Sequence, residues 1–363
     1  MNRFVFLFFA AAYSAFAQKA DNVNLDRQIQ EIKLKLPQRG TDLSSRGIGI
    51  EFTGDFLYWI SNQDSIWMAT LEGPPAFLSG TNIFSDVRIL NQKFKFDPGF
   101  RVAASYFWGQ KDWETSLSWT RYRTKSHTAH GVSPNEVLIS SWGFASRVNQ
   151  FTILDIQQAW KLDYDVVDLN AISKNFNFMK FSFTPTLGVR GAFIRQNVFQ
   201  QFNVADIPMA FVDAEGKMNA KSRFSGFGIL GSTSLNYKIY GGFSLFGNLL
   251  GSLNYGRIKT VMDHTFFVNN GEALTGYTPR DKVYRVRANA EIQGGVAWSM
   301  AFADGRTALS LMLAYEQVCW FNINSFKKYF AEEGASSILQ FAIVDLYGDL
   351  TLRGLTTRAG LEF

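Results

Sequence analysis

The chain has 363 residues, of which 16% are aromatic and 18% charged, and its formal net charge is +5. So mild an imbalance, with no basic cluster, argues against nucleic acid as a partner, and the single cysteine, Cys319, excludes an internal disulfide framework. Beyond the first residues no stretch approaches the roughly 20 apolar residues of a membrane-crossing helix, which excludes an inner-membrane helical bundle.

The chain opens MNRFVFLFFAAAYSAFA. A positive start at Arg3, a short apolar run from Phe4 to Ala12 and an A-x-A site at Ala15–Ala17 predict a secretory signal peptide over residues 1–17. Residues 18–46 read differently. Leu25, Ile29, Ile32 and Leu36 form one apolar stripe of a short helix that Pro37 ends. Two heptads are too few for a convincing coiled coil, so a short periplasmic helix that assists trimer formation or rests near the barrel's mouth stands beside a disordered leader.

From residue 47 onward the dominant period is two. Phe100, Val102, Ala104, Tyr106 and Trp108 share one parity, with Arg101, Ala103 and Ser105 on the other. The hairpin partner sets Trp113, Thr115, Leu117 and Trp119 against Glu114, Ser116, Ser118 and Thr120. The longest case sets Tyr284, Val286, Ala288, Ala290, Ile292, Val296 and Trp298 against Arg285, Arg287, Asn289, Glu291 and Gln293. A soluble β-sandwich also alternates, but its strands run about 5–6 residues. Here alternation persists over the roughly 9–11 residues that a tilted membrane strand needs, with aromatics at both ends of the apolar face. In lipid every backbone group must pair internally, so such strands close into a barrel.

The fold class predicted is therefore all-β: a transmembrane antiparallel up-and-down barrel occupying residues 47–363. Strands are expected near 48–60, 96–108, 113–126, 153–168, 177–194, 223–238, 242–258, 283–302, 307–321 and 350–363. That gives about 10–12 strands, and up to 16 if stretches such as 65–71 and 87–96 also pair. Short turns fall at 109–112, 169–175, 238–242 and 303–306, and long connections at 61–95, 127–152, 195–222, 260–282 and 323–347. Long loops outside and short turns inside place both barrel ends at the periplasm. The last residues, RAGLEF, keep the alternation, so Phe363 is expected to face lipid at the interface.

Four stretches resemble the MOMP-like (major outer membrane protein) porin family of chlamydia-related bacteria and Legionella: DFLYW at 55–59, FKFDPGFRVAASY at 94–106, DWETSLSWTRYRT at 112–124 and GDLTLRGLTTRAGLEF at 348–363. The resemblance covers the barrel and leaves the long connections unmatched. It implies an abundant outer-membrane porin, often oligomeric, whose terminal Phe363 serves as an assembly signal for the barrel-assembly machinery. The chlamydial members carry many cysteines that cross-link the envelope, whereas this chain has one, which puts such a lattice in doubt.

By parity the lumen receives Arg101, Lys161, Lys180, Arg190, Lys238, Arg285, Arg287 and Arg358, against Glu51, Asp55, Glu114, Asp163, Asp165, Glu291, Glu316 and Glu362. Charge rings set ion preference in a pore, and so even a balance implies weak selectivity; Arg101, Arg285 and Arg287 are the candidates for a basic constriction. An enzyme reading is disfavoured. The only histidines, His127, His130 and His264, all fall in predicted connections, away from any nucleophile motif. His127-x-x-His130 lacks further ligands at metal spacing. Cys319 reads as a packed or lipid-facing side chain. No cofactor is expected. The function predicted is passive diffusion of small hydrophilic solutes and ions across the outer membrane. A structural or adhesive barrel with a plugged lumen and partner-binding loops is the alternative, and a channel for apolar nutrients a third. Expected partners are outer-membrane lipid and further copies of the chain.

Overall fold

The computed structural model describes residues 49–72, 76–78, 81–83, 87–108, 113–133, 136–142, 152–173, 175–205, 214–268, 272–302, 307–333 and 339–363. The expected signal peptide, the leader helix over 18–46 and the turns at 109–112 and 303–306 lie outside the described residues. Ten strands form the wall: β1 (Gly49–Gln63), β2 (Phe96–Phe107), β3 (Trp113–Gly131), β4 (Thr152–Ser173), β5 (Phe181–Ala205), β6 (Ala214–Lys238), β7 (Phe243–Val268), β8 (Arg280–Ala301), β9 (Ala308–Asn324) and β10 (Gly348–Glu362). Each pairs antiparallel with the next in the chain, and β10 returns to β1 to close the ring. The seam runs from Glu51 opposite Glu362 to Gln63 opposite Leu350. Closure leaves no strand edge exposed to lipid.

The barrel's two ends differ. One rim carries Gly49, the chain end and the tight turns. There Phe363 exchanges two backbone hydrogen bonds with Ile50, at 2.9 and 3.2 Å, so the last residue is locked into the seam. Between β6 and β7 the chain reverses through Ile239-Tyr240-Gly241-Gly242; Gly241 and Gly242 have φ of +62° and +86°, which a residue without Cβ adopts at little cost. The other rim carries the long connections, including a three-stranded sheet (Ala69–Glu72, Val87–Leu90, Val137–Ser140) and a hairpin (Lys327–Glu333, Leu339–Asp345).

Strand lengths differ as well. β2 has 12 residues, close to what a bilayer requires, whereas β5 and β6 have 25 each and β7 has 26. These strands run well past the expected ends near 194, 223 and 258, so much of what reads as long connection continues as wall. The physical reason lies in the alternation itself. On β7 the outward positions Phe243, Leu245, Leu249, Leu253 and Tyr255 are exposed apolar groups, and the inward positions Ser252 and Asn254 are buried and polar. Beyond Gly256 the roles exchange: Arg257 and Lys259 point out, and Ile258 and Met262 are buried within.

The same exchange occurs around the ring. On β4, Val167 and Leu169 are exposed and Asp168 is buried. Further toward the long-connection rim, Trp160, Leu162, Tyr164 and Val166 are buried while Lys161, Asp163 and Asp165 lie outside. Those last three were expected in the lumen, and the structure places them on the outer face. The expectation applied one rule, apolar toward lipid, along the full strand. Past the apolar band there is no lipid to face, and burial of apolar area inside the ring becomes the favourable arrangement.

Candidate functional site

The lumen is the candidate site, and it has two storeys. Near the tight-turn rim its walls are lined by small or polar side chains, among them Thr53, Ser105, Ser118, Thr186 and Ser234, all partly accessible. Near the other rim it is filled by an apolar cluster that includes Trp59, Tyr122, Trp160, Phe224 and Trp320 from the wall. Ile66, Trp142, Phe326 and Leu346, from the long connections, complete that cluster from above. Tight packing needs backbone without a side chain opposite the rings: a Cβ on Gly226 or Gly256 would overlap the Phe224 ring.

Buried glutamines tie the inserted connections down. Gln158 accepts from the Trp142 indole at 2.9 Å and donates to the Ile66 carbonyl at 2.8 Å, and Gln200 donates to the Met68 carbonyl at 2.8 Å. Each bond satisfies a backbone or indole group that water cannot reach.

Between the storeys lie two charge networks. In the first, Arg101 on β2 contacts Glu316 on β9 at 2.7 Å and Asp55 on β1 at 3.3 Å. Arg358 on β10 grips Asp55 through two bonds of 2.7 and 2.9 Å. Glu316 also accepts from Thr356 at 2.8 Å and from Gln293 at 3.1 Å, and Arg101 donates to Thr120 at 2.9 Å. In the second, Arg190 on β5 holds Asp168 on β4 through two bonds of 2.7 Å and reaches Asn289 and Glu291 on β8. The Arg101–Glu316 and Arg190–Glu291 contacts join strands that are not neighbours in the ring. They are chords across the lumen rather than pairs along its wall.

Of the residues expected to line the lumen, Arg101, Arg190, Glu291 and Arg358 are brought into these networks. Arg285 and Arg287 also point inward, but further toward the long-connection rim. Arg285 donates to the Tyr347 hydroxyl at 3.1 Å and Arg287 to the Ser325 hydroxyl at 3.2 Å. They therefore brace the 325–347 connection, and the expected constriction of Arg101 with Arg285 and Arg287 does not form. Lys180 sits in the exposed turn before β5, outside the wall. Sequence reasoning named Asp55 and Glu316 as lumen charges without pairing them, and it missed Asp168 and the tryptophans of the filled storey. The available signal was the change of parity along β4 and β7.

Among the histidines, His264 is buried on the inner side of β7, while His127 lies outward beside Gln157 at 3.4 Å. A cleft of about 550 Å³ is lined by Lys93, Lys95, Lys125 and Lys161 together with Phe94 and Trp160.

A closed ring of antiparallel strands, wrapped by an apolar band with tyrosines and tryptophans along its borders, defines a transmembrane β-barrel of the bacterial outer membrane. Residues 48–358 match the family described as the Legionella pneumophila major outer membrane protein precursor, and the chain belongs to that family. No protein of curated function matches it. Among solved structures the chain is similar to the outer membrane protease OmpT from Escherichia coli (10% identity, 88% of this chain and 97% of that one, TM-score 0.35). It is also similar to a Pseudomonas aeruginosa FadL homologue (8%, 87% and 90%, TM-score 0.27) and to the Pseudomonas putida toluene transporter TodX (6%, 88% and 90%, TM-score 0.25).

Proposed function

We propose that the protein is a non-enzymatic outer-membrane barrel, sealed in its resting conformation, that works through the connections and outer wall it displays at the cell surface. The filled upper storey carries this reading. Trp59, Trp160 and Trp320 from separate strands meet Trp142 and Phe326 from the long connections in one buried cluster, and below it two ion-paired chords cross the lumen. The carboxylates of those chords are held by arginines, so none of the four is a free base for catalysis. The tight-turn rim and both barrel ends face the periplasm, as the short-turn, long-loop division of such barrels favours. Phe363, 60% exposed and outward on the last strand, is there available as an assembly signal. Deleting it lowers the fraction of folded, heat-modifiable protein; wild-type assembly of the deletion would remove this role.

The second reading is passive diffusion of small hydrophilic solutes and ions. The polar lower storey favours it, since Thr53, Ser105, Thr186 and Ser234 are accessible from within. Asp55, Asp168, Glu291 and Glu316 in the networks and Glu51, Glu114 and Glu362 below them face Arg101, Arg190 and Arg358, with Arg285 and Arg287 above. Charges of both signs thus line the lumen with a small negative excess, and a pore opened here would select weakly. Purified protein in planar bilayers separates the two readings. The sealed barrel gives no stepwise conductance, whereas reproducible steps from the parent protein would replace it with the diffusion reading. Association into homo-oligomers through Leu25, Ile29, Ile32 and Leu36 is a further part of the proposal. Crosslinking checks it: an unchanged ladder in Ile29→Asp with Ile32→Asp would leave the segment a tether.

A further inference from the structure

The outer face of β5–β8 carries a feature that the lumen does not explain. The pairing register sets Arg195 opposite Arg223, Arg223 opposite Lys259 and Lys259 opposite Lys282. All four side chains are exposed and on the outward parity. Directly opposed like charges on adjacent strands are destabilising, yet here four cations stand in one unbroken row. The row above adds Lys221 and Arg280, opposite Asn197 and Val261 respectively. Among the described residues none of these six is held in an ion pair, although Arg195 at the end of the row stands opposite Asp163 on β4; Asp163 instead lies 3.4 Å from both Arg123 and Lys161, and Asp165 lies 3.8 Å from Arg121.

Position gives the row its meaning. It lies at the change of the outer face from apolar to charged: the outward row below it is Phe193, Ser225, Arg257 and Tyr284, and the exposed rings of Phe227 and Tyr255 come one row further down. Tyr255 and Tyr284 stack at 6.3 Å. On the next four strands round the ring, the outward register row Gln317, Arg353, Ile60 and Phe96 carries one charge. The cationic row is therefore one-sided and borders the lipid-facing wall.

We propose that this face binds a bisphosphorylated, acylated glycolipid of the outer leaflet, its phosphates on Arg195, Arg223, Lys259 and Lys282 and its acyl chains against the aromatic wall below. Strands lie about 4.8 Å apart, so four of them span roughly 14 Å. That width suits two phosphates at the ends of a disaccharide better than the single phosphate of a glycerophospholipid. Arginine offers each phosphate a two-pronged hydrogen-bonding fork, and the bound anions remove the repulsion along the row. In the cell the proposal rests on the outward orientation of the long connections given above.

The test uses the full chain, delipidated in non-ionic detergent, and bisphosphorylated lipid A as the probe, with binding read by native mass spectrometry. Arg195→Gln, Arg223→Gln, Lys259→Gln and Lys282→Gln together should weaken binding on the order of ten-fold or more, the scale of losing charge-assisted hydrogen bonds. Fully dephosphorylated lipid A should bind the parent as weakly. Heat-modifiable migration establishes that the variant is folded; if it is not, the pair Arg223→Gln with Lys259→Gln gives the same reading with less change. Lys93→Gln with Lys125→Gln, in the separate lysine cleft, should retain binding. Equal binding by parent and variant, equal binding of the dephosphorylated lipid, tighter binding of phosphatidylglycerol, or loss confined to the cleft variant would each overturn the proposal. An epitope inserted at residues 269–271 and probed on intact cells reports orientation independently, so a failure of orientation is distinct from a failure of binding.

Discussion

The two storeys of this barrel are built from the same ten strands under opposite rules. In the lower storey the outer face is apolar and the inner face polar: Phe52 and Phe56 are exposed on β1 while Asp55 between them is buried. In the upper storey β4 buries Trp160 and Leu162 and exposes Lys161, as a water-soluble sheet would. Solvent alone accounts for the difference. Lipid removes any gain from hiding apolar groups in the lumen, so side chains there are free to be polar; water restores that gain, and the interior fills. The exchange of faces thus marks the upper border of the lipid, at Arg121, Asp165, Arg257, Lys282 and Arg353 on their respective strands.

The largest expected effect falls in the upper storey. Trp320 is fully buried, donates to the Tyr164 hydroxyl at 3.3 Å and lies against the Phe224 ring at 6.1 Å. Trp320→Ala is expected to cost about 3–5 kcal/mol, as large-to-small core substitutions do. Ser118→Ala, on the accessible lower wall, should stay within about 0.5 kcal/mol. Denaturant unfolding of both variants from lipid vesicles makes the comparison, and similar costs would mean that the upper storey is not a packed core.

An intermediate effect is expected at the boundary. Glu316→Gln removes the carboxylate that Arg101 meets at 2.7 Å and that Thr356 and Gln293 also bind. Arg101 keeps Asp55 at 3.3 Å, so the loss should be near the lower end of the roughly 3–5 kcal/mol measured when one partner of a buried pair is removed. Repeating the unfolding in 1 M salt sharpens the result. Water-filled surroundings would screen the pair to a Debye length of about 3 Å and shrink the difference, whereas a buried chord would keep it.

The lower storey was largely legible in the sequence, because a strand between lipid and a polar lumen alternates cleanly. Tyr284 to Trp298 against Arg285 to Gln293 is the plainest instance, and Phe100 to Trp108 is another. Closure was legible for the same reason, and the ten strands fall at the low end of the 10–12 expected, with up to 16 allowed. The upper storey was not legible by that rule. Lys161, Asp163 and Asp165 have the parity of Val167 and Leu169 and so share their outer face, but the rule that charged side chains face the lumen, carried along all of β4, turns them inward. Chord partners were also hidden. Asp55 and Arg358 pair across the seam from opposite ends of the chain, and no local pattern joins Arg101 to Glu316.

The smallest expected effect tests the inversion most directly. Lys161 lies on the outer face above the lipid border, its side chain 45% exposed and 3.4 Å from Asp163. An exposed pair of this kind contributes about 0–1 kcal/mol, and a leucine there would meet solvent rather than a packed interior. Lys161→Leu should therefore change stability by less than about 1 kcal/mol and leave folding intact. Had Lys161 pointed into the lumen, as a rule of charged side chains inward along the whole strand requires, the same change would remove a charge from the interior and alter the barrel's folding markedly. Heat-modifiable migration and vesicle unfolding read both quantities. A loss of several kcal/mol would return Lys161 to the interior and erase the border drawn through Arg121, Asp165 and Arg257.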